Sequence, residues 1–510
     1  MVRIGILCLM LTLTASASAQ TSGFEVQEAT IADIHAALQS HRITCAQLVE
    51  KYLDRIARYD KSGASLNSLI TINSKVLSEA RAMDSEIERT GITKPLQCIP
   101  AIVKDNFETI GLPTTAGSLS LAGWISNRDA FQVKKIREAG AIVLAKSNMA
   151  EFAFSPYETV GSMLPGYTRN PYALNRVTAG SSGGTAAAVA ASFGAVGLGS
   201  DTGNSIRGPS SHNDLVGIRS TMGLTSRAGV IPLNFHRDIA GPIARTLTDA
   251  VKVFDVIAGY DPDDPYTVAA QNRKEPSYSS ALVAGSLKGA RIGVARFIID
   301  ATADSDVVKL FDQAVAVVKR EGAIIVDPFL FPEFNSARPA GCNRFKFDLN
   351  DYLASRDPAP PVKDLAAILA SRKFHPSIEL RLRDSQTAEV HPKDNPLCRA
   401  GEEGEERFRQ ALLAAMDRDN VSAVVYPTWS NPPRLIGDLN TPAGDNSQVL
   451  SPASGFPAIN VPVGFVRDEL PSGMTFLGRA WSEATLIKLA YSYEQATRHR
   501  RPPASTPPLK

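Results

Sequence analysis

Residues 179–223 read AGSSGGTAAAVAASFGAVGLGSDTGNSIRGPSSHNDLVGIRSTMG, a stretch crowded with glycine and small hydroxyl residues. Two loops, one ending at Gly184 and one running from Gly199 to Arg207, flank an Ala-rich segment that predicts a helix over 185–192. Glycine accepts φ > 0 and has no Cβ in the way, so such loops let backbone amides come close to a ligand. Two serine-bearing loops around one helix make a candidate active site. Upstream, Lys104-Asp105-Asn106 closes the apolar run 99–103. That run predicts a strand, and ligands sit at strand ends in open α/β sheets, so a lysine there need not be solvated.

Outward from this stretch the pattern alternates. Thr44 and Gln47 form a capping-box pair ahead of Leu48, Tyr52, Leu53 and Ile56, which recur at helical spacing. Runs at 99–103 and 141–145 predict strands on either side of a helix over 129–139 closed by Gly140. The rhythm returns as 291–295, a helix over 305–321 ended by Gly322, and 323–327. Repeated strand–helix–strand order predicts an α/β fold: one large domain over 20–500, with a central, largely parallel or mixed sheet covered by helices on both faces. Segments 262–290 and 328–400 are richer in Pro, Asp and Arg and less periodic, and read as insertions that cover one side of the core and shape a substrate mouth. The Pro-rich tail 501–510 has no apolar pattern and is expected to fray.

Composition narrows the class. The 510 residues are 44% apolar and 21% charged, enough for a large core. With 54 Lys plus Arg against 52 Asp plus Glu, the net charge of +2 supplies no field to hold a nucleic acid or an anionic membrane. Arg3, the apolar run 4–13 and Ala17-Ser18-Ala19 before Gln20 read as an export signal cleaved near Ala19, giving a soluble periplasmic or secreted protein. A ten-residue run is far short of the ~20 residues that span a bilayer. Cys8 leaves with the signal, while Cys45, Cys98, Cys342 and Cys398 remain. They allow three pairings in an oxidising compartment, yet they lie far apart in a core that needs no staple, so free buried thiols stand beside disulfides as readings. No Cys or His pair has metal-ligand spacing, and neither a metal nor an organic cofactor is expected.

The chain resembles the amidase signature hydrolases from about residue 28 to 497. The matching blocks are Val103-Lys104-Asp105-Asn106, Gly180-Ser181-Ser182-Gly183-Gly184, Gly199-Ser200-Asp201-Thr202-Gly203-Asn204-Ser205-Ile206-Arg207, Gly241-Pro242-Ile243-Ala244-Arg245-Thr246 and Phe456-Pro457-Ala458-Ile459-Asn460-Val461-Pro462. The resemblance implies a Ser-Ser-Lys triad: Ser205 the nucleophile, Ser181 a bridging serine on an unusual cis peptide, Lys104 the base. A serine hydroxyl is a weak nucleophile and must lose its proton as it attacks, and lysine takes that proton only when burial keeps it neutral. The backbone amides of Thr202, Gly203, Asn204 and Ser205 then face the developing oxyanion. The family usually has two glycines before the nucleophile, and Asn204 replaces the second. If that position needs φ > 0, asparagine tolerates it next best; its side chain also narrows the site or adds a donor. Ala179, where glycine is common, is the smaller change.

Each residue also has a plainer reading. Alone, Lys104 is a surface lysine, and Ser181 or Ser205 a loop residue or helix cap. Asp201 and Arg207 read as a pair bracing the loop, His212 and His236 as structural, and Tyr157 and Trp429 as packing. Gly180-Ser181-Ser182-Gly183-Gly184 also fits a nucleophile elbow, which would make Ser182 the nucleophile of a Ser-His-Asp esterase, but that motif needs a strand just before it and 170–176 read as a loop. Residues 197–203 miss the dinucleotide fingerprint by one position. A non-catalytic binding protein on the same scaffold is the remaining alternative. The expectation is an amidase acting on a small-molecule amide, with carbamates or esters as related substrates, working alone or as a homodimer and without nucleic acid.

Overall fold

The computed structural model describes residues 23–337, 339 and 341–509, so the export signal read at 1–19 lies outside the described residues. Eleven strands form one sheet: β1 (Leu69–Ile72), β2 (Pro100–Lys104), β3 (Ile142–Ser147), β4 (Val196–Asp201), β5 (Val216–Arg219), β6 (Ile239–Ala244), β7 (Arg291–Val294), β8 (Ile324–Val326), β9 (Ala423–Pro427), β10 (Ala458–Val466) and β11 (Leu470–Leu477). Their spatial order is β1-β3-β2-β4-β6-β5-β10-β11-β9-β7-β8. The sheet is mixed in a regular way. β3, β2 and β4 run parallel at one flank and β8, β7 and β9 at the other, while every pairing from β4 to β9 across the centre is antiparallel. The two parallel flanks contain the two strand–helix–strand units legible in the sequence, with crossover helices Phe131–Glu138 and Ser305–Arg320.

β2, β3 and β4 are buried along their whole length, as strands covered on both faces must be. Helices Gly183–Ala190 and Arg207–His212 pack on one face of the sheet, and Leu247–Ile257, Ser305–Arg320 and Glu483–Thr497 on the other. Helix Gly183–Ala190 is Ala-rich and wholly buried because it lies between sheet and loops with no room for larger side chains. Helix Cys45–Tyr59 starts at the expected capping box, Thr44 accepting from the Gln47 amide and Gln47 reaching back to Thr44. The 328–400 region contributes helices Phe345–Ala354, Leu365–Ser371 and Glu379–Gln386, whose Phe345, Leu349 and Leu382 pack with Met149, Phe152 and Trp124 in a second core.

One open reading is settled and one expectation is corrected. Cys45 pairs with Cys98 and Cys342 with Cys398, so the thiols are not free. The first bridge joins the start of helix Cys45–Tyr59 to the residues leading into β2, a proximity that only the tertiary fold creates. The tail does not fray either. The Arg501 amide donates to Asp214, Ser505 to the Pro171 carbonyl, and Thr506 is fully buried. The tail is held by a cation: the buried Arg55 guanidinium donates to the Thr506 carbonyl at 2.8 Å, the Pro507 carbonyl at 2.9 Å and the Ala191 carbonyl at 2.9 Å. Removing this guanidinium takes three bonds at once and leaves the tail only the Gln27 side-chain amide on the Thr506 carbonyl at 3.2 Å and the Tyr59 hydroxyl on the Pro507 carbonyl at 3.1 Å in its place. Arg55→Ala should therefore cost about 3 kcal/mol and open the last ten residues to limited proteolysis; an unchanged melting temperature and an intact tail would show that Arg55 does not anchor it.

Candidate active site

The parallel pairing of β2 with β4 brings the carboxyl ends of both strands side by side, and these ends carry Lys104 and Ser200-Asp201. Lys104 is fully buried. Its Nζ donates to Ser181 Oγ at 2.7 Å, Ser200 Oγ at 2.9 Å and the Ser200 carbonyl at 3.2 Å. Asn106, two residues on, holds Ser200 Oγ from the other side at 3.0 Å. Ser181 reaches the lysine from the loop before helix Gly183–Ala190, on a cis Gly180–Ser181 peptide. That loop is pressed against the 155–158 backbone: a Cβ on Gly180 would sit 2.4 Å from the Glu158 carbonyl oxygen and 2.5 Å from that of Ser155, so only glycine fits.

Burial lowers the Lys104 ammonium to about 7, against the opposing pull of the Asp201 and Asp238 carboxylates. Asp201 is itself buried, which disfavours its charge, but Arg207 and Arg219 outweigh that and hold it below the usual carboxylate range. Arg207 Nε lies 3.1 Å from Asp201, and its Nη2 reaches the Gly203 carbonyl at 2.5 Å, so the pair braces the Gly203 loop as expected. Burial pushes Asp238 up to about 6, and it accepts from Thr202 Oγ1 at 2.5 Å. The acidic environment of Lys104 thus comes from carboxylates fixed by other partners.

Ser205 follows in the loop after β4. Its side chain is buried, and its Oγ lies 3.5 Å from Asn204 Oδ1; among the described residues no hydrogen bond joins Ser205 to Ser181. The backbone N–H groups of Thr202, Gly203, Asn204 and Ser205 donate to no protein acceptor among the described residues, whereas the next two amides, of Ile206 and Arg207, both turn to Asp201. Four consecutive unengaged donors beside a serine make an anion-binding loop. The backbone argument for Asn204 is overturned: its φ is not positive, so asparagine is not there to replace glycine's conformational freedom. The left-handed position is Ala179, at φ 59°, so the smaller of the two changes is the one that bears backbone strain.

The remaining candidates divide cleanly. Ser182 is fully buried, its Oγ donates to the Ser200 carbonyl at 3.2 Å and accepts from the Ser200 amide at 3.3 Å, and no strand precedes it, which removes the nucleophile-elbow reading. His212 stacks on Trp429 at 4.6 Å, and burial drives its imidazole down to about 3. His236 bonds Tyr266 and Glu405. Neither histidine touches a serine of the site. Tyr157 and Trp429 meet edge to face at 6.2 Å. Among the described residues no group of three or more His, Cys, Asp or Glu side chains is placed to hold a metal ion. A cavity of about 800 Å³ lined by Arg128, Arg227, Tyr266 and Arg344 includes neither Lys104 nor these serines, so size alone does not mark the site.

Sequence reasoning missed three contributors. Ser200 and Asn106 stand inside the quoted blocks without a role assigned to them there. Lys146 stands one residue before the end of β3, in register with Val103 of β2, and a lysine straight after an apolar run is the signal that could have found it. Burial lowers Lys146 to about 8; its Nζ donates to the carbonyls of Phe107 at 2.7 Å and Pro113 at 3.1 Å and faces Asp105 at 3.5 Å.

Known proteins share this arrangement of the chain. The model of the Amidase family matches residues 47–487. A probable amidase of Arabidopsis thaliana is 35% identical, with 96% of this chain and 94% of that protein covered. A glutamyl-tRNA(Gln) amidotransferase subunit of Acinetobacter baumannii is 33% identical, with 93% of this chain and 97% of that protein covered. Among solved structures, the native peptide amidase of Stenotrophomonas maltophilia superposes with a TM-score of 0.84 at 33% identity, covering 93% of this chain and 98% of that one. With the family model spanning most of its length and relatives above 30% identity covering it nearly end to end, the chain belongs to the amidase family, the amidase signature enzymes, and is an amide hydrolase.

Proposed function

We propose that this amidase cleaves a small-molecule amide C–N bond through an acyl-Ser205 intermediate, with Lys104 as base and Ser181 as proton relay. The observation that carries the reading is the buried Lys104 Nζ at 2.7 Å from Ser181 Oγ with its ammonium lowered to about 7. Ser205 Oγ attacks the carbonyl carbon as its proton passes to Ser181 Oγ and the Ser181 proton passes to the lone pair of neutral Lys104. The carbonyl π pair moves to oxygen, which faces the free N–H groups of Thr202, Gly203 and Asn204. Collapse of the tetrahedral intermediate breaks the C–N bond, and the proton returns through Ser181 to the leaving nitrogen. Water then attacks acyl-Ser205 over the same relay and releases the carboxylic acid. At rest Ser205 leans on Asn204, so the relay closes when the Ser205 side chain turns towards Ser181 as substrate enters.

The proposal extends to the compartment. Two disulfides favour an oxidising space, as does the apolar run 4–13 ahead of Ala17-Ser18-Ala19. We place the enzyme outside the cytoplasm, away from charged transfer RNA. Expression in a host with the matching export route should yield a chain whose intact mass begins at Gln20, recovered from the periplasm or medium; a cytoplasmic chain starting at Met1 would overturn this placement.

Ser205→Ala should lower kcat by about 10³-fold or more without changing the melting temperature. A fluorophosphonate probe should leave its adduct on Ser205, read by peptide mass spectrometry. An adduct on Ser182, or neither adduct nor turnover on any amide, would remove Ser205 as the nucleophile and, in the second case, leave a binding protein.

The pH dependence follows from the base. Lys104 must be neutral, and with its ammonium lowered to about 7 the neutral fraction grows tenfold per pH unit below that value. On one amide substrate, log kcat/KM should climb with slope 1 up to about pH 7 and level off above about pH 8. Lys104→Ala should abolish that dependence with most of the rate. Lys104→Arg should be as damaging, because guanidinium does not accept a proton at these pH values; near-normal rates from the Arg variant would show that position 104 supplies only positive charge.

A further inference from the structure

The side chain of Asn204 has no explanation in the proposed mechanism, which uses only its backbone amide. Nor does the backbone require asparagine, since φ there is not in the left-handed region. The carboxamide is instead built into the wall beside the nucleophile. Its Oδ1 is the acceptor facing Ser205 Oγ at 3.5 Å, and its Nδ2 lies 3.4 Å from the Pro156 carbonyl. That carbonyl also accepts from the Gly180 amide at 2.9 Å, one residue before Ser181, so the Pro156 carbonyl links the carboxamide to the loop that carries Ser181. The residue is 1% exposed.

Its fourth side is closed by Gly208 and Trp429. A Cβ on Gly208 would stand 2.7 Å from Asn204 Nδ2 and 3.0 Å from Trp429 Nε1, so the carboxamide fills the space between that bare backbone and the indole. The buried Trp429 N–H has no acceptor among the described residues, and the ring is backed by Tyr157.

We infer that Asn204 is a specificity-determining residue, whose carboxamide shortens the subsite bounded by Gly208, Trp429 and Tyr157 and restricts turnover to amides carrying a small substituent on that side of the carbonyl. Glycine at this position would leave the four atoms beyond the Cα as open space directly against Ser205. One methylene in a tight pocket is worth about 10–200-fold in discrimination, so four heavy atoms are ample to exclude a branched or aromatic group.

The inference rests on Ser205 being the nucleophile, and the experiment keeps the two apart. Purified enzyme is assayed on two amide series, one lengthening the acyl group from acetyl to phenylacetyl with ammonia as leaving group, the other enlarging the leaving amine with acetyl held constant. Asn204→Gly should raise the kcat/KM ratio of the bulkiest to the smallest member by tenfold or more in one of the series, through KM and kcat together. Asn204→Leu keeps the branched shape and volume and should keep the restriction. If fluorophosphonate labels Ser205 and turnover is measurable, yet neither series shifts in Asn204→Gly, or Asn204→Leu relaxes it equally, the steric role is overturned while the mechanism stands. Absence of labelling at Ser205 in the wild type would instead remove the mechanism. Melting curves on all three proteins separate loss of selectivity from loss of fold.

Discussion

A fully buried amine at the end of a sheet strand is an expensive thing to hold, and the architecture around Lys104 is arranged to hold it. Lowering its ammonium from 10.5 to about 7 corresponds to a stability penalty on the order of 5 kcal/mol, at about 1.4 kcal/mol per pH unit. The sign is fixed by the direction of the shift: the folded state binds its proton less tightly than the unfolded chain. The penalty is therefore complete below about pH 7, shrinks as pH rises and vanishes above about 10.5. Total stabilities are about 5–15 kcal/mol, so this one residue consumes a large share of the margin. The surroundings that offset it are extensive: fully buried strands on either side of β2, a buried Ala-rich helix and two disulfides, one of them at the entry to β2.

Charge is placed by the same logic. Bringing Asp201 close to Lys104 would restore the ammonium if the carboxylate were free to pair with it. Instead Arg207 and Arg219 hold Asp201 at 3.1 and 3.0 Å, and the first of them also fixes the Gly203 carbonyl. Three charges are thereby buried to shape one loop, an arrangement that adds little stability but makes the geometry rigid. Its effect is that the amides of Ile206 and Arg207 point at Asp201 while those of Thr202 to Ser205 stay open. The run of open amides thus follows from where one carboxylate has been pinned.

How much of this is readable from residues follows from whether the signal is local. Strand and helix periodicity, glycine stops and the Thr44–Gln47 cap are local, and the two strand–helix–strand units are legible to within a residue or two. The antiparallel centre, β4 to β6 and β5 to β10, depends on which distant segments meet, and nothing in a single segment encodes that. The same limit hides the Cys45–Cys98 pairing, 53 residues apart, and the docking of the tail on Arg55, 451 residues from Thr506, both of them contacts that no local pattern encodes. At the site, Lys104, Ser181 and Ser205 stand out through ordered motifs. The backbone roles of 179 and 204 are the reverse of what the sequence suggests, because a missing glycine shows that something changed without showing whether φ or side-chain space is at stake.

Two buried lysines near the ends of neighbouring strands show why only one of them suits a base. Lys146 and Lys104 are equally enclosed, and burial lowers both. Lys146 faces main-chain carbonyls, the Asp105 carboxylate and the Thr114 hydroxyl at 3.2 Å, whose own proton is donated to the Phe107 carbonyl, so every partner presents it a lone pair. Neutralising it removes one of three N–H donors and leaves a lone pair aimed at acceptors, so its surroundings favour the ammonium. Lys104 faces two serine hydroxyls and a single carbonyl. A hydroxyl donates as readily as it accepts, so when Lys104 loses its proton the Ser181 O–H turns round and bonds the lone pair with no movement of heavy atoms. The chemistry of the partner, rather than depth of burial, decides which amine can exchange a proton and which is a strut.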